Sequence, residues 1–343
     1  GSLRPVIIKN YTTMKNTTII TLAAMLLGSA GAFADSAVTK PAGFVTVGIA
    51  PAPSEGASKL TSFSVALRNS VAEGSQTTSI GATSATKTGA AWAANQWTTE
   101  PHLLYLTNAA GAEEAFLITS HTSDTLTLAA TFDLTVRYGS GIRDYAIVKA
   151  HTFGSLFGTT EVDFKSGNLA TADLLYVWNG ANWVTYYHSG TNWKRTGSLG
   201  NVNGDVVFPD DGLFVLRRGT EALNLVLVGS VPYKPQVTTI PGENLTMMAN
   251  TYPVGTTVEQ LGLQNLPGWQ DGSASTGDRF YLWNGDNWLV YYRSGGNWKR
   301  TGSLSVVNTE VIPGNALMFV QRESASTDAN AANTQSIPYN LNN

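Results

Sequence analysis

Aromatic and β-branched residues alternate with polar ones in two passages of this chain that are nearly the same. Residues 176–199 read YVWNGANWVTYYHSGTNWKRTGSL, and residues 281–304, which lie 105 positions later, read YLWNGDNWLVYYRSGGNWKRTGSL. Asn-Gly and Ser-Gly pairs separate the alternating segments. An Asn-Gly pair in this setting favours a two-residue hairpin turn with positive φ at both residues. Each passage therefore predicts a three-stranded meander, with strands at 174–178, 182–188 and 192–196 in the first.

The similarity continues beyond the meanders at the same offset. Matching pairs are Thr152 and Thr257, Leu156 and Leu261, Asp173 and Asp278, Phe214 and Phe319, and Arg217 and Arg322. Downstream, SVPY at 230–233 is echoed by SIPY at 336–339. Repetition over this length indicates one supersecondary unit that is used twice. It also predicts that the polar C-terminal end contains a strand that closes the second unit.

The part of the chain before the repeats has no strong copy of the aromatic meander. It contains short runs of strand-forming residues between turn residues, which is typical of short β-strands. The strands predicted here are 43–49, 61–67, 103–107, 115–120, 125–129 and 144–149, and those predicted after the meanders are 213–217 and 317–321. Residues 71–94 are rich in Gly, Ser, Thr and Ala and predict a long loop. A short helical turn is predicted at 257–263.

These patterns predict an all-β protein in which a small N-terminal β-domain is followed by two tandem homologous β-units, either sandwich-like or barrel-like. A chain of 343 residues is long enough to bury the cores of two or three domains. The predicted segments are 1–13 as an upstream, non-native extension, 14–34 as a signal peptide, 35–149 as the N-terminal β-domain, 150–240 as the first repeat unit and 241–343 as the second.

The signal peptide is predicted from three adjacent features. Met14 and Lys15 supply a basic start, residues 19–27 are apolar, and Ala32-Phe33-Ala34 resembles a cleavage site. We therefore expect export to the periplasm, the cell surface or the medium. After this segment no apolar run approaches the length that a membrane-spanning helix needs, so no transmembrane segment is predicted in the mature chain.

Composition narrows the function classes. The chain has 21 Lys and Arg against 24 Asp and Glu. Nucleic-acid binding is not expected, because phosphates would call for a basic surface. There is no cysteine, which excludes a disulfide framework and thiol-based chemistry. The mature chain must therefore be stabilised by burial rather than by cross-links.

The duplicated aromatics are the candidate contact residues for a glycan or a partner protein. Flat rings with a few polar groups beside them are typical of small-ligand sites, and a ring can stack on the C–H face of a sugar. The candidates are Trp178, Trp183, Tyr187, Trp193 and Arg195 in the first meander, and Trp283, Trp288, Tyr292, Trp298 and Arg300 in the second. Alternatively, the same rings form cross-strand pairs and the core of a small sheet.

No catalytic residue, metal ligand or cofactor is predicted. Glu113 with Glu114, or Asp163 with Asp173, could be drawn as the carboxylate pair of a glycoside hydrolase, but nothing in the sequence brings either pair together. The four histidines follow no metal-ligand spacing, and the chain lacks a nucleophile elbow and a phosphate-binding loop.

Several segments together resemble one group of proteins. They are KPAGFVTVGI at 40–49, AFLITSHTSDTLTLAATFDL at 115–134, HTFGSLFG at 151–158, the paired WNG-x-NW meanders and IPYN at 337–340. The chain resembles uncharacterised exported β-rich proteins of Verrucomicrobia-type bacteria, over most of its mature length. The resemblance implies a bacterial origin and export, and it implies no activity or catalytic residues.

Three functions remain open from the sequence. The first is a secreted or cell-envelope structural or assembly protein without enzymatic activity, which acts by self-association or by contact with an envelope protein. The second is a carbohydrate-binding module in which the two meanders give two sites and increased avidity. The third is a hydrolase whose catalytic residues are not recognised.

Overall fold

Strands carry nearly all of the regular structure in this protein. The computed structural model describes residues 41–198, 200–242, 245–303, 305–323 and 330–340. The all-β prediction is confirmed in these residues, whereas the predicted signal peptide and the extension before it lie outside them. The helices are short: α1 (Leu134–Tyr138), α2 (Phe153–Phe157), and two 3₁₀ turns at Glu259–Leu261 and Leu263–Asn265, the first of which lies within the helical turn predicted at 257–263.

The strands are numbered in chain order. The first nine are β1 (Ala42–Ile49), β2 (Lys59–Ser64), β3 (Val71–Gln76), β4 (Ser79–Gly81), β5 (Ser84–Thr86), β6 (His102–Thr107), β7 (Glu113–His121), β8 (Thr125–Leu128) and β9 (Asp144–Lys149). The next seven are β10 (His151–Thr152), β11 (Leu174–Trp178), β12 (Trp183–His188), β13 (Trp193–Arg195), β14 (Val206–Val207), β15 (Gly212–Arg217) and β16 (Leu223–Ser230). The remaining strands are β17 (Gln236–Thr239), β18 (Leu245–Ala249), β19 (Thr256–Thr257), β20 (Arg279–Trp283), β21 (Trp288–Ser294), β22 (Asn297–Arg300), β23 (Val311–Ile312), β24 (Leu317–Gln321) and β25 (Ala332–Gln335).

Both meanders form as predicted and extend into five-stranded antiparallel sheets of the same order. The first sheet runs β13-β12-β11-β15-β2, and the second runs β22-β21-β20-β24-β18. The register is also shared, because Trp178 lies opposite Trp183 in the first sheet and Trp283 lies opposite Trp288 in the second. Smaller pairings repeat as well: β10 pairs with β14, and β19 pairs with β23.

The Asn-Gly turns are longer than predicted. The strands end at the opposed tryptophans, so residues 179–182 form a four-residue loop. Asn179 Oδ1 accepts the backbone N–H groups of Ala181 and Asn182 at 3.1 and 2.8 Å. Gly180 alone in this loop takes a positive φ, of 94°. The asparagine side chain therefore replaces part of the backbone hydrogen bonding that a two-residue turn would need.

The first five-stranded sheet includes a strand from the start of the chain. β2 pairs with β15, and β1 pairs along its whole length with β16, from Ala42 opposite Ser230 to Ile49 opposite Leu223. The sequence-based boundary between 149 and 150 therefore separates strands that pair with each other. In the structure residues 71–149 are an insertion between β2 and β10, within the first unit.

The inserted residues build their own sheet, in the order β3-β9-β6-β7-β8-β5-β4. The prediction of a long loop at 71–94 was wrong, because β3, β4 and β5 lie in that segment. Along these strands more exposed residues alternate with buried ones. Ile80 of β4 and Ala85 of β5 are buried in the core of this sheet together with Trp92. Cross-strand pairing with β9 and β8 thus decides the conformation of a segment whose composition alone resembles a loop.

The C-terminal end contains a strand, β25, but it precedes the SIPY segment and joins no strand of the second five-stranded sheet. β25 pairs with β17, and β17 in turn meets β7 of the inserted sheet at a single parallel pair, Gln236 opposite Glu113. Tyr339 stacks edge-on against Tyr252, with ring centroids 5.8 Å apart.

No helix in the described part of the chain is long and apolar enough to span a membrane.

Candidate ligand site between the two meanders

Strand alternation divides the aromatics of each meander between two faces. On the inner face, Leu175, Tyr186 and Val215 enter the core of the first unit. On the outer face, Tyr176 lies opposite Phe214 on β15, and Trp178 lies opposite Trp183 on β12. The second sheet repeats this division, because its strands share the register. Each sheet therefore presents a row of rings on the face that does not line its own core.

The two outer faces meet each other. Trp183 contacts both Phe214 and Phe319, with centroid distances of 5.5 and 5.6 Å. Trp288 contacts the same two phenylalanines at 5.9 and 5.6 Å. Trp178 reaches Phe319 at 5.8 Å, and Trp283 reaches Phe214 at 5.9 Å. These contacts are edge-to-face. Each contact from the first unit to the second has an equivalent, 105 residues away, from the second unit to the first, so the two units pack about a pseudo-twofold axis.

A close backbone approach at Gly212 allows this packing. A Cβ atom at Gly212 would lie 1.8 Å from Cδ1 of Leu317, which is fully buried on β24. Gly212 and Leu317 are 105 positions apart and are therefore equivalent residues of the two units. The absence of a side chain on one of them lets β15 and β24 approach each other.

An open pocket of about 280 Å³ lies at this junction. It is lined by Leu60, Tyr176, Trp183, Phe214, Trp283 and Trp288. Trp183 and Trp288 are 40% and 38% exposed, whereas Phe214 beneath them is buried and Leu60, Tyr176 and Trp283 are half-buried. Tryptophan faces left open in a concave, largely apolar pocket are typical of a binding site rather than of a core.

A more polar groove of about 470 Å³ adjoins the pocket and shares Leu60 and Trp283 with it. Thr61, Ser62 and Asn284 supply polar atoms along this groove. At its rim Lys59 Nζ lies 2.7 Å from Asp286 Oδ1. The residue equivalent to Asp286 in the first meander is Ala181, so this charged rim belongs to one side of the pseudo-symmetric junction.

The structure brings some of the predicted site residues together in the pocket and places the others outside it. Trp183, Trp283 and Trp288 line the pocket, and Trp178 packs against Trp183 beside it, at 5.3 Å between centroids. Tyr187 and Tyr292 are half-buried and do not line it.

The remaining four candidates lie away from the pocket. Trp193 and Trp298 are buried in the cores of their units, at 0% and 1% exposure. Arg195 is paired with Asp205 at 2.8 Å, and Arg300 with Glu310 at 2.7 Å. Their roles are in packing and in ion pairs within each unit.

Sequence reasoning missed three pocket residues. Leu60 was placed near a predicted strand of the N-terminal part, far along the chain from the meanders. Tyr176 and Phe214 were recognised as repeated positions, since their partners Tyr281 and Phe319 occur at the same offset. That recurrence on the outer face was the available signal.

Of the four carboxylates that could have served a hydrolase, Glu113, Glu114 and Asp173 are held in ion pairs, and Asp163 is exposed. Glu113 binds Arg68 at 2.7 Å and Lys234 at 3.1 Å. Burial opposes the ionisation of Glu113, but the two cations outweigh it and lower its pKa. Glu114 accepts from Arg137 at 2.5 Å and from the Tyr138 hydroxyl at 2.7 Å.

Asp173 is paired with Arg217, and its equivalent Asp278 lies 3.5 Å from Arg322. Both pairs are buried within their units. Among the residues that the structure describes, no three His, Asp or Glu side chains lie close enough together to hold a metal ion.

Asp210 and Asp211 form an unusual acidic pair just before β15. Both are half-buried. Burial raises the pKa of Asp210 to about 6, with a further contribution from the charge of Glu114. Burial and the neighbouring Asp210 raise the pKa of Asp211 as well. The pair therefore favours its protonated form more strongly in the folded protein than in an open chain.

The chain was compared with protein families, with curated proteins and with solved structures. No family model, no curated protein and no solved structure matches the chain.

Proposed function

We propose that this protein is exported and binds a glycan chain, without transforming it, in the aromatic pocket between the two meanders. The observation that carries the proposal is the pair of half-exposed tryptophans, Trp183 and Trp288, in one open pocket of about 280 Å³. The C–H face of a pyranose ring is flat and apolar, and it matches a tryptophan face in both size and polarity. Pockets lined by aromatic rings with few polar groups hold ligands in this way.

The neighbouring groove supports a ligand longer than one sugar. Its Thr61, Ser62 and Asn284 side chains provide donors and acceptors for hydroxyl groups that the apolar pocket cannot satisfy. Because both meanders contribute to one pocket, we expect one glycan segment per chain rather than two independent sites. This replaces the bivalent arrangement considered from the sequence.

Replacing Trp288 with Ala is expected to weaken glycan binding at least tenfold, because it removes one of the two exposed faces on which the sugar stacks. The proposal is tested by screening the chain from Asp35 to Asn343 on an array of glucans, xylans, chitin fragments and bacterial surface polysaccharides. Affinity for any hit is then measured by tryptophan fluorescence. A tenfold loss corresponds to about 1.4 kcal/mol.

Phe44→Ala is the matched control, because it removes an aromatic ring that is 71% exposed and lies outside the pocket. It should leave the affinity unchanged. Circular dichroism of both variants checks that each is folded. Silence of the native protein across the array, or equal affinity of Trp288→Ala and the native protein, would rule out a glycan site in this pocket.

A second candidate function, a structural or assembly component, is favoured by the ribbon of β1 and β16. Its outer face exposes Phe44 directly opposite Val228, with Val226 two positions along, at 71%, 67% and 60%. The face carries no charge, so two copies of an acidic chain can meet there without repulsion.

For this second function, we expect concentration-dependent dimers in sedimentation velocity, and Phe44→Ser should shift the population to monomer. Val136→Ser is the control, since Val136 is 84% exposed elsewhere on the molecule. A native protein that sediments as a monomer at every concentration tested would remove self-association as its function.

A further inference from the structure

A wide groove lies beside β16, away from the aromatic pocket. Its volume is about 770 Å³. One wall is the stretch Asn224, Leu225 and Val226 of β16, and the other is the end of α2 with the segment that follows it, residues 156–166. The walls contain apolar side chains, but most of the accessible lining is polar.

β16 offers an open strand edge to this groove. Within the described chain it forms a two-stranded sheet with β1 alone, apart from one bridge between Ser230 and Arg68 at its end. The N–H and C=O groups that point away from β1 over residues 223–228 therefore have no strand partner. Such an edge is a template for another extended chain.

At the corresponding place the second unit has a smaller groove of about 470 Å³, lined by Pro267, Asn330 and Ala332 together with residues 132–137. There residues 260–262 pack directly on β25: the Ser336 N–H donates to the Gln260 carbonyl at 3.0 Å, and the Asn333 side chain donates to the Leu261 carbonyl at 2.9 Å. A Cβ at Gly262 would lie 2.1 Å from the Thr334 carbonyl oxygen. Only a glycine permits this approach.

The first unit has Phe157 at the position equivalent to Gly262. Phe157 is buried in the core of the first unit, in contact with Phe63 and Trp193 at 6.4 and 5.7 Å between ring centroids. Its side chain prevents the close approach that Gly262 allows, and the segment after it stands away from β16. This difference between two equivalent residues accompanies the larger volume of the groove in the first unit.

Charge defines the chemistry of an occupant. Glu161 and Asp163 line the wall opposite β16 and are exposed, whereas Lys165 of the same segment is exposed but does not line the groove. Two carboxylates without a cation beside an open strand edge favour a basic partner. A neutral or acidic segment would leave both carboxylates uncompensated.

We infer that this groove binds an extended, basic segment of another polypeptide, which adds to β16 as a third strand. Main-chain hydrogen bonds to β16 would provide affinity, and Lys or Arg side chains facing Glu161 and Asp163 would provide selectivity. This inference is independent of the glycan site, because the two surfaces share no residue.

The test uses two matched synthetic octapeptides, capped at both ends and labelled with a fluorophore. One alternates Val or Thr with Lys, and the other has Glu in place of each Lys. With the chain from Asp35 to Asn343, fluorescence anisotropy should give at least tenfold tighter binding of the Lys peptide. The difference should shrink in 0.5 M salt and in the double variant Glu161→Gln, Asp163→Asn.

Val226→Lys should abolish binding of the Lys peptide, because it adds a cation to the open edge. Val306→Lys is the matched control at a similar exposure, 56% against 60%, and should bind as the native protein does. Bound peptide should also slow amide hydrogen exchange over residues 223–228, which a contact made by side chains alone would not do.

Three results would overturn the inference: equal affinity for the Lys and Glu peptides, unchanged affinity in Val226→Lys, or bound peptide without slower exchange at 223–228. Slow exchange there that appears with rising protein concentration, in the absence of peptide and with no peptide binding, would assign the edge to a second copy of the chain instead.

Discussion

Asp173→Ala is expected to lower the free energy of unfolding by about 3–5 kcal/mol. Asp173 is 1% exposed and is the ion-pair partner of Arg217, which is itself buried. It also accepts the backbone N–H groups of Lys165, Arg218 and Gly219 at 2.7, 2.6 and 3.2 Å. Removing the carboxylate leaves a buried guanidinium and three N–H groups without their acceptor. Urea denaturation monitored by circular dichroism measures the change.

A double-mutant cycle separates the ion pair from the rest of this effect. Arg217→Met alone should destabilise the protein, but the double variant Asp173→Ala, Arg217→Met should lose less than the two single losses added together. Asp278→Ala should behave alike in the second unit, because Asp278 is fully buried beside Arg322 and accepts the N–H groups of Gln270 and Glu323. A loss below about 1 kcal/mol in Asp173→Ala would contradict the structural role given to the pair.

When the pH is raised from 4 to 7, the ionisation of Asp210 is expected to lower the free energy of unfolding by about 1–3 kcal/mol. The pKa of Asp210 is raised from 3.8 in an open chain to about 6 in the folded protein, by burial and by the charge of Glu114. Between these two values the folded state holds a proton that the unfolded state has released, so stability falls as the pH rises. Two pKa units correspond to about 3 kcal/mol, and partial exposure to solvent reduces this figure.

Asp210→Asn isolates this contribution from the other titrating groups. At pH 4 the variant and the native protein should be nearly equal in stability, and at pH 7 the variant should be the more stable. Asp211→Asn should change in the same direction, because burial and Asp210 raise its pKa too. Thermal denaturation at both pH values provides the comparison. A difference between Asp210→Asn and the native protein that does not depend on pH would show that Asp210 ionises normally.

The strands of the meanders could be predicted because their signals are local. Turn residues separate alternating segments, and the predicted strands 174–178 and 317–321 match β11 and β24. Which face of a meander is covered could not be predicted from the same signals. Trp183 and Trp193 both follow an asparagine, yet Trp193 lies in a core and Trp183 is 40% exposed. The difference arises from what covers each ring, because Phe153 and Phe157 of α2 pack on Trp193, whereas Trp183 meets the second sheet at Phe319.

The pocket itself depends on contacts that are distant in sequence. Leu60 reaches the pocket because β2 pairs with β15, although the inserted residues 71–149 separate these two strands in the sequence. Trp283 reaches it because the second unit packs against Phe214 of the first. Periodicity within a segment contains no information about either contact. The repeated positions on the outer faces indicated which rings mattered, but not that the two sets of rings would meet.

Gly212 and Leu317 restrict how similar the two copies can be. These equivalent residues meet at the pseudo-twofold axis, where a side chain on both would collide and an absence on both would leave a void. A symmetric dimer of two identical polypeptides could not combine a glycine with a leucine here, because a residue on the twofold axis would face the same residue of the other subunit. Joining the copies in one chain lets each mutate separately. Covalent linkage thus permits a large-small pair, and purifying selection at these two positions should act on the pair rather than on either residue alone.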